Sequence, residues 1–176
     1  MNCRDALDNA GKAPLAVKAL AMGIAPHELN IDPAQAGGLL GKFDAAVYMA
    51  PGASPEGVEI KGARSYRGCH SFNFSRLRPG TSFQHLIFVA READPQDWTD
   101  VRELDRLFWL GYVPRAAFDR AVAAKPGAAG TAERTASMTI GSRRRSWLGD
   151  SVEWVPFHQL DKAWWEAHVR QRQPQV

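Results

Sequence analysis

The order of its segments predicts an α/β protein with a mixed β-sheet. Three observations carry that reading: an alanine- and leucine-rich opening stretch, a strand–turn–strand pattern over residues 43–64, and an unbroken apolar run from His85 to Ala90 followed by alternating helix-like and strand-like pieces. With 176 residues, the chain has the length of one domain with a proper core. It reads as a single unit over 1–176, with a core of about 13–124 and a basic C-terminal extension of about 133–170.

The elements follow in order. Residues 1–25, above all Ala13 to Ile24, read as a helix. His27 to Asn30 with Asp32-Pro33 marks a loop or the cap of a second short helix. Gly37-Gly38 and Gly41 lead into a strand over 43–49. Residues 50–57 hold two prolines and two glycines and form a turn, and residues 58–64 alternate apolar and charged side chains as the returning strand. Residues 65–82 are polar and basic, with a short helix expected around Phe72 to Leu77. His85 to Ala90 has the length and composition of a central strand buried on both faces. A turn at 94–98, a helix at 101–109, a short strand at 111–113 and a helix at 115–124 come next. After a Gly/Ala/Pro loop at 125–132, strand pieces are expected at 138–140 and 147–155, then a terminal helix at 160–170 and a frayed tail.

Composition excludes some classes. With 45% hydrophobic and 23% charged residues and no apolar run of membrane length, a soluble protein without a membrane span is expected. No signal peptide is read, and Cys3 and Cys69 lack metal-site spacing, so unpaired thiols and a cytoplasmic setting are expected. The six tryptophans are read as core and subunit-contact residues. Net charge is only +3, yet its distribution is uneven. No acid lies between Glu59 and Glu92, where Lys61, Arg64, Arg67, Arg76, Arg78 and Arg91 fall. A second acid-free stretch, 134–147, contains Arg143, Arg144 and Arg145. Arginine forks onto phosphate and guanine edges, so a polyanion partner suits both stretches.

The chemistry-bearing constellation is Asp44, Glu59 and Lys61. Glu59 and Lys61 are two apart on one strand and share a face, while Val58 and Ile60 point into the core. Pairing across the turn brings Asp44 to the same edge. Two carboxylates and an ammonium suit phosphodiester hydrolysis. A magnesium ion (or manganese in its place) takes one or two carboxylates, here Asp44 and Glu59, with the Ile60 carbonyl as a further ligand. Such an ion polarises phosphate and acidifies a water, and Lys61 holds or deprotonates that water and balances transition-state charge. The acid-x-lysine pattern occurs once in the chain.

Phe43-Asp44, Glu59-Ile60-Lys61 and the following strand His85 to Ala90 resemble the PD-(D/E)XK nuclease superfamily, the fold of type II restriction endonucleases and of many repair and phage nucleases. The resemblance covers residues 43–90, with Phe43 standing where the family has proline. It implies a restriction-endonuclease-like mixed sheet flanked by helices, with the acidic pair and the lysine around magnesium. The family often adds an acid from the preceding helix, for which Glu28 is the nearest candidate.

The segment 65–78 interleaves aromatic, amide and basic side chains that read bases and grip phosphate, so Arg64, Arg67, Asn73, Arg76 and Arg78 are expected DNA contacts. A basic surface loop anchored by Phe72 and Phe74 is the competing reading. Arg143, Arg144 and Arg145 either grip the DNA backbone or form a solvated turn. His27, His70 and His85 do not form a metal-ligand spacing, and His85 at a strand start reads as a satisfied core or edge histidine. Together these residues predict a magnesium-dependent endodeoxyribonuclease acting on double-stranded DNA. A type II restriction enzyme working as a homodimer leads. A repair, phage or toxin nuclease of the same fold and a non-catalytic nucleic-acid-binding domain are the alternatives.

Overall fold

The sheet is organised around one strand, His85–Arg91, in which every residue from His85 to Ala90 is buried. The structure, a computed structural model, describes residues 3–31, 43–65, 70–92, 100–125, 133–140 and 146–170. In chain order these form α1 (Cys3–Ala21), β1 (Leu29–Asn30), β2 (Ala45–Val47), β3 (Glu56–Arg64), β4 (Ser71–Leu77), β5 (His85–Arg91), α2 (Val101–Leu107), β6 (Phe108–Pro114), α3 (Arg115–Ala124), β7 (Arg134–Thr139), β8 (Glu153–Pro156) and α4 (Lys162–Trp165). A π-helical turn, Glu166–Arg170, continues α4.

Six strands form one mixed sheet in the order β1-β2-β3-β5-β6-β8. β3 and β5 run parallel, and the other pairs are antiparallel. A mixed sheet with helices is the α/β class that the segment order predicts. Alternate residues of β5 feed two cores on opposite faces. Ile87 and Val89 join Leu15 and Ala19 of α1, Val58 and Ile60 of β3, and Trp165. Leu86, Phe88 and Ala90 join Phe72 and Phe74 of β4, Phe118 of α3, and Met138 of β7. By the same alternation Glu59 and Lys61 stand on the second face, the one that β4 and β7 cover.

Several expectations need correction. Residues 71–77 are a strand, not a short helix. Phe72 and Phe74 turn inward and Asn73 and Ser75 outward, and β7 supplies the ladder partner. Residues 29–30 pair with β2 instead of capping a helix. The strand at 111–113 extends over Phe108–Pro114, because Phe108 and Trp109 pair with Arg91 and Ala90. The strand of 138–140 begins at Arg134, and that of 147–155 shrinks to Glu153–Pro156 behind a 3-10 turn at Gly149–Ser151. The core reading of the tryptophans holds for those described: Trp165 is fully buried, and Trp109, Trp147, Trp154 and Trp164 are partly buried against the two cores. No described helix is long and apolar enough to cross a membrane. The glycines at 37, 38 and 41, the turn at 94–98, Trp98, Cys69 and the tail lie outside the described residues.

His85 closes the end of the first core. Its Nδ1 lies 2.9 Å from the Tyr112 hydroxyl and its Nε2 lies 2.7 Å from Glu56 Oε2. Burial holds the imidazole below its ordinary value, against the opposing pull of Glu56. The folded state therefore resists a proton that the unfolded chain accepts below about pH 6.5, so stability falls as pH drops from there through the folded pKa. Melting curves at pH 7.5 and 5.5 are expected to show a steeper loss for the wild type than for His85→Gln. Parallel profiles would mean that the imidazole is not kept neutral.

Candidate active site

Two close backbone approaches position the site. Gly11 of α1 faces Gly62 of β3 so closely that a Cβ on Gly11 would meet the Gly62 Cα at 3.2 Å. A Cβ on Gly57 would lie 2.7 Å from the Phe43 ring, so glycine there lets Phe43 lie on the β3 backbone. Phe43 thereby anchors the residue that follows it. The Asp44 N–H donates to the Val58 carbonyl at 3.0 Å. Where β2 has not yet begun, the Asp44 carboxylate completes the ladder, with Oδ2 accepting the Ile60 N–H at 2.8 Å. In a strand the N–H and C=O of one residue point to the same side. The Ile60 carbonyl therefore faces the same edge as Asp44.

Glu59 and Lys61 meet on their shared face, with Lys61 Nζ 2.5 Å from Glu59 Oε1 and both side chains just under one-fifth exposed. Burial is the main cause that pushes the Glu59 carboxyl above the usual carboxylate range. The charge of Asp44 adds to that rise, while Lys61 and Lys12 oppose it. Asp44, Lys61 and Lys12 are therefore the three charged groups close enough to act on Glu59, and with it they make a cluster of four. A carboxylate held against its own desolvation, with specific charge partners, is typical of functional sites.

Lys12 is the member that sequence reasoning missed. Its ammonium lies 2.6 Å from Asp44 Oδ1. The helix preceding the hairpin thus contributes a cation where an acid was sought. Glu28 is not that acid. It lies beside the far end of β2, where its carbonyl accepts the Tyr48 N–H. Four residues of strand separate Asp44 from Tyr48, roughly 13 Å at about 3.3 Å per residue. Its carboxylate accepts the Ala25 N–H at 2.9 Å, which is the largest cause lowering its pKa, and it binds Arg170 at 2.8 Å. Glu28 anchors the C-terminal segment. His85 is a satisfied core histidine, as its strand position suggests.

The expected DNA contacts divide. Arg64 is exposed at the end of β3, three residues past Lys61. Asn73 stands on the outer face of the β4–β7 ribbon, its Oδ1 accepting from the Ser137 hydroxyl at 2.6 Å. Exposed Ser75, Thr135 and Ser137 share that outer face. Arg76 sits in the bulge after Phe74 with a left-handed backbone, φ 59°. Arg78 is well exposed and pairs with Glu133 at 3.2 Å. Arg67, Arg143, Arg144 and Arg145 lie outside the described residues.

Among the described residues no group of three or more histidine, cysteine, aspartate or glutamate side chains is arranged to hold a metal. Asp44 and Glu59 are two such donors, and the Ile60 carbonyl edge is a third of a different kind. That donor set suits magnesium, which keeps several waters beside one or two carboxylates. Compared with family models, curated proteins and solved structures, the chain matches none.

Proposed function

We propose that the chain is a magnesium-dependent endodeoxyribonuclease of restriction-endonuclease-like fold, most readily a type II restriction enzyme acting as a homodimer on double-stranded DNA. The observation that carries this reading is the convergence of Asp44, Glu59 and Lys61 at one edge of the β2–β3 hairpin, beside an exposed polar ribbon. Asp44, Glu59 and the Ile60 carbonyl would hold the ion, which supplies Lewis-acid polarisation of the phosphate and a more acidic water. The Asp44 carboxylate is aimed by the Ile60 N–H through Oδ2, and its Oδ1, held by Lys12 at 2.6 Å, is the oxygen a cation would take over. Lys61 orients the attacking water and neutralises charge that builds on the phosphorus oxygens. Phe88 stands opposite Lys61 on the neighbouring strand, so apolar packing limits where the lysine can go.

Incubating the protein with supercoiled plasmid and magnesium tests the reading. Discrete fragments are expected, smearing would replace restriction with a non-specific nuclease, and an intact plasmid with a gel shift would leave only a binding module. The path of the DNA is tested separately. The exposed Arg78–Glu133 pair is worth under about 1 kcal/mol, so phosphate can displace Glu133. Replacing Arg76 and Arg78 by alanine is expected to weaken DNA binding and to reduce the salt slope of log affinity by roughly one per lost contact. An unchanged slope and affinity would move the DNA surface elsewhere.

A further inference from the structure

Each carboxylate of the cluster already has an ammonium against it: Lys61 on Glu59 at 2.5 Å and Lys12 on Asp44 at 2.6 Å. Only Glu59 and Lys61 are near neighbours in sequence. Lys12 comes from α1, fixed in place by the Gly11–Gly62 approach one residue earlier. Both members of its pair are largely covered, with side chains 17% and 22% exposed. From this geometry, and resting on the nuclease reading above, we propose that Lys12 is a positioning residue that occupies Asp44 in place of the divalent cation, so that ammonium and cation compete for one carboxylate.

The charge balance explains why such a competitor is useful. Two carboxylates and two ammonium groups sum to zero, so adding a dication leaves the closed cluster with an uncompensated double positive charge. Like charges a few ångströms apart repel appreciably even at a protein-surface dielectric. A phosphodiester supplies the missing negative charge. Lys12 thus holds Asp44 in place in the resting protein, and it makes cation binding depend on the arrival of DNA. A lysine that served only to fasten α1 to the hairpin would have the opposite signature: its removal would loosen Asp44 and weaken cation binding.

The test is a calorimetric titration of the full chain with manganese chloride in the absence of DNA, which reads affinity independently of turnover. Lys12→Met keeps the unbranched chain to within one atom and removes its charge, and Lys12→Gln is the second variant should methionine impair folding. Either is expected to tighten manganese binding about tenfold or more, while Lys12→Arg stays near the wild type. Unchanged or weaker binding in the neutral variants, with Glu59→Gln abolishing a measurable wild-type affinity, would overturn the role of Lys12 and leave the nuclease reading intact. No manganese binding by the wild type and the neutral variants alike, together with no plasmid cleavage, would overturn both.

Discussion

Glu59→Gln, Lys61→Ala and Asp44→Asn are each expected to lower plasmid cleavage by a factor of order 10² or more, the scale of deleting one transition-state stabiliser. Glu59→Gln keeps the shape of the side chain and removes the charge that a cation requires. It also leaves Lys61 facing a neutral amide in place of a carboxylate 2.5 Å away. Lys61→Ala removes the group proposed to position water, and it strips Glu59 of the nearest charge opposing its desolvation. Asp44→Asn preserves one oxygen for the Ile60 N–H, but a second oxygen is lost and Lys12 then faces an amide. The measurements are plasmid cleavage in magnesium, a DNA-binding titration in calcium and a melting curve for each variant. Binding in calcium should survive Lys61→Ala, because the carboxylates remain. A stability loss near 1 kcal/mol is expected for Asp44→Asn, since a neutral amide oxygen accepts the Ile60 N–H less strongly than a carboxylate and no longer pairs with Lys12. Three folded variants that cut at the wild-type rate would remove the hairpin from consideration as the active site.

What the sequence made legible follows from how local each signal is. Glu59 and Lys61 share a face because strand side chains alternate, and Val58 and Ile60 are buried for the same reason. β5 is recognisable as a six-residue apolar run, since only a strand covered on both faces has no polar side to show. Lys12 gave no such signal. Its partner is far along the chain, and their meeting depends on a helix crossing β3 at Gly62. β4 was missed for a related reason. Phe72 and Phe74 do alternate with Asn73 and Ser75, but the strand lacks β-branched residues and its partner β7 follows only after α3. Glu28 misled because nearness in sequence to Asp44 says nothing about which end of β2 a side chain reaches, and β1 runs antiparallel.

Phe88→Ala is expected to destabilise the fold by about 3–5 kcal/mol, a large share of the ~5–15 kcal/mol that holds a domain of ordinary stability together. Phe88 is fully buried at the centre of β5. Its ring centroid lies 4.5 Å from Phe74 and 6.3 Å from Trp154, so it joins the sheet to the β4–β7 ribbon and to β8. On the β6 side it stands opposite Gly111, where a Cβ would lie 2.8 Å from the Trp154 ring. No small shift of that backbone can fill the void left by the ring. On the β3 side it stands opposite Lys61, so the same loss removes the wall beside that lysine. For a chain of this length each kcal/mol lowers Tm by about 2–4 °C, which puts the expected shift on the order of 10 °C. Phe88→Leu keeps most of the apolar volume and should lose only about 1–2 kcal/mol. The leucine variant separates the two roles of the ring. It stays folded at assay temperature, so any fall in its cleavage rate reports on the placement of Lys61 and not on unfolding. Urea melts of both variants beside the wild type measure the stability terms. An alanine variant as stable as the wild type would mean that the ribbon does not dock on this face, and the polar surface beside Glu59 and Lys61 would lose its structural basis.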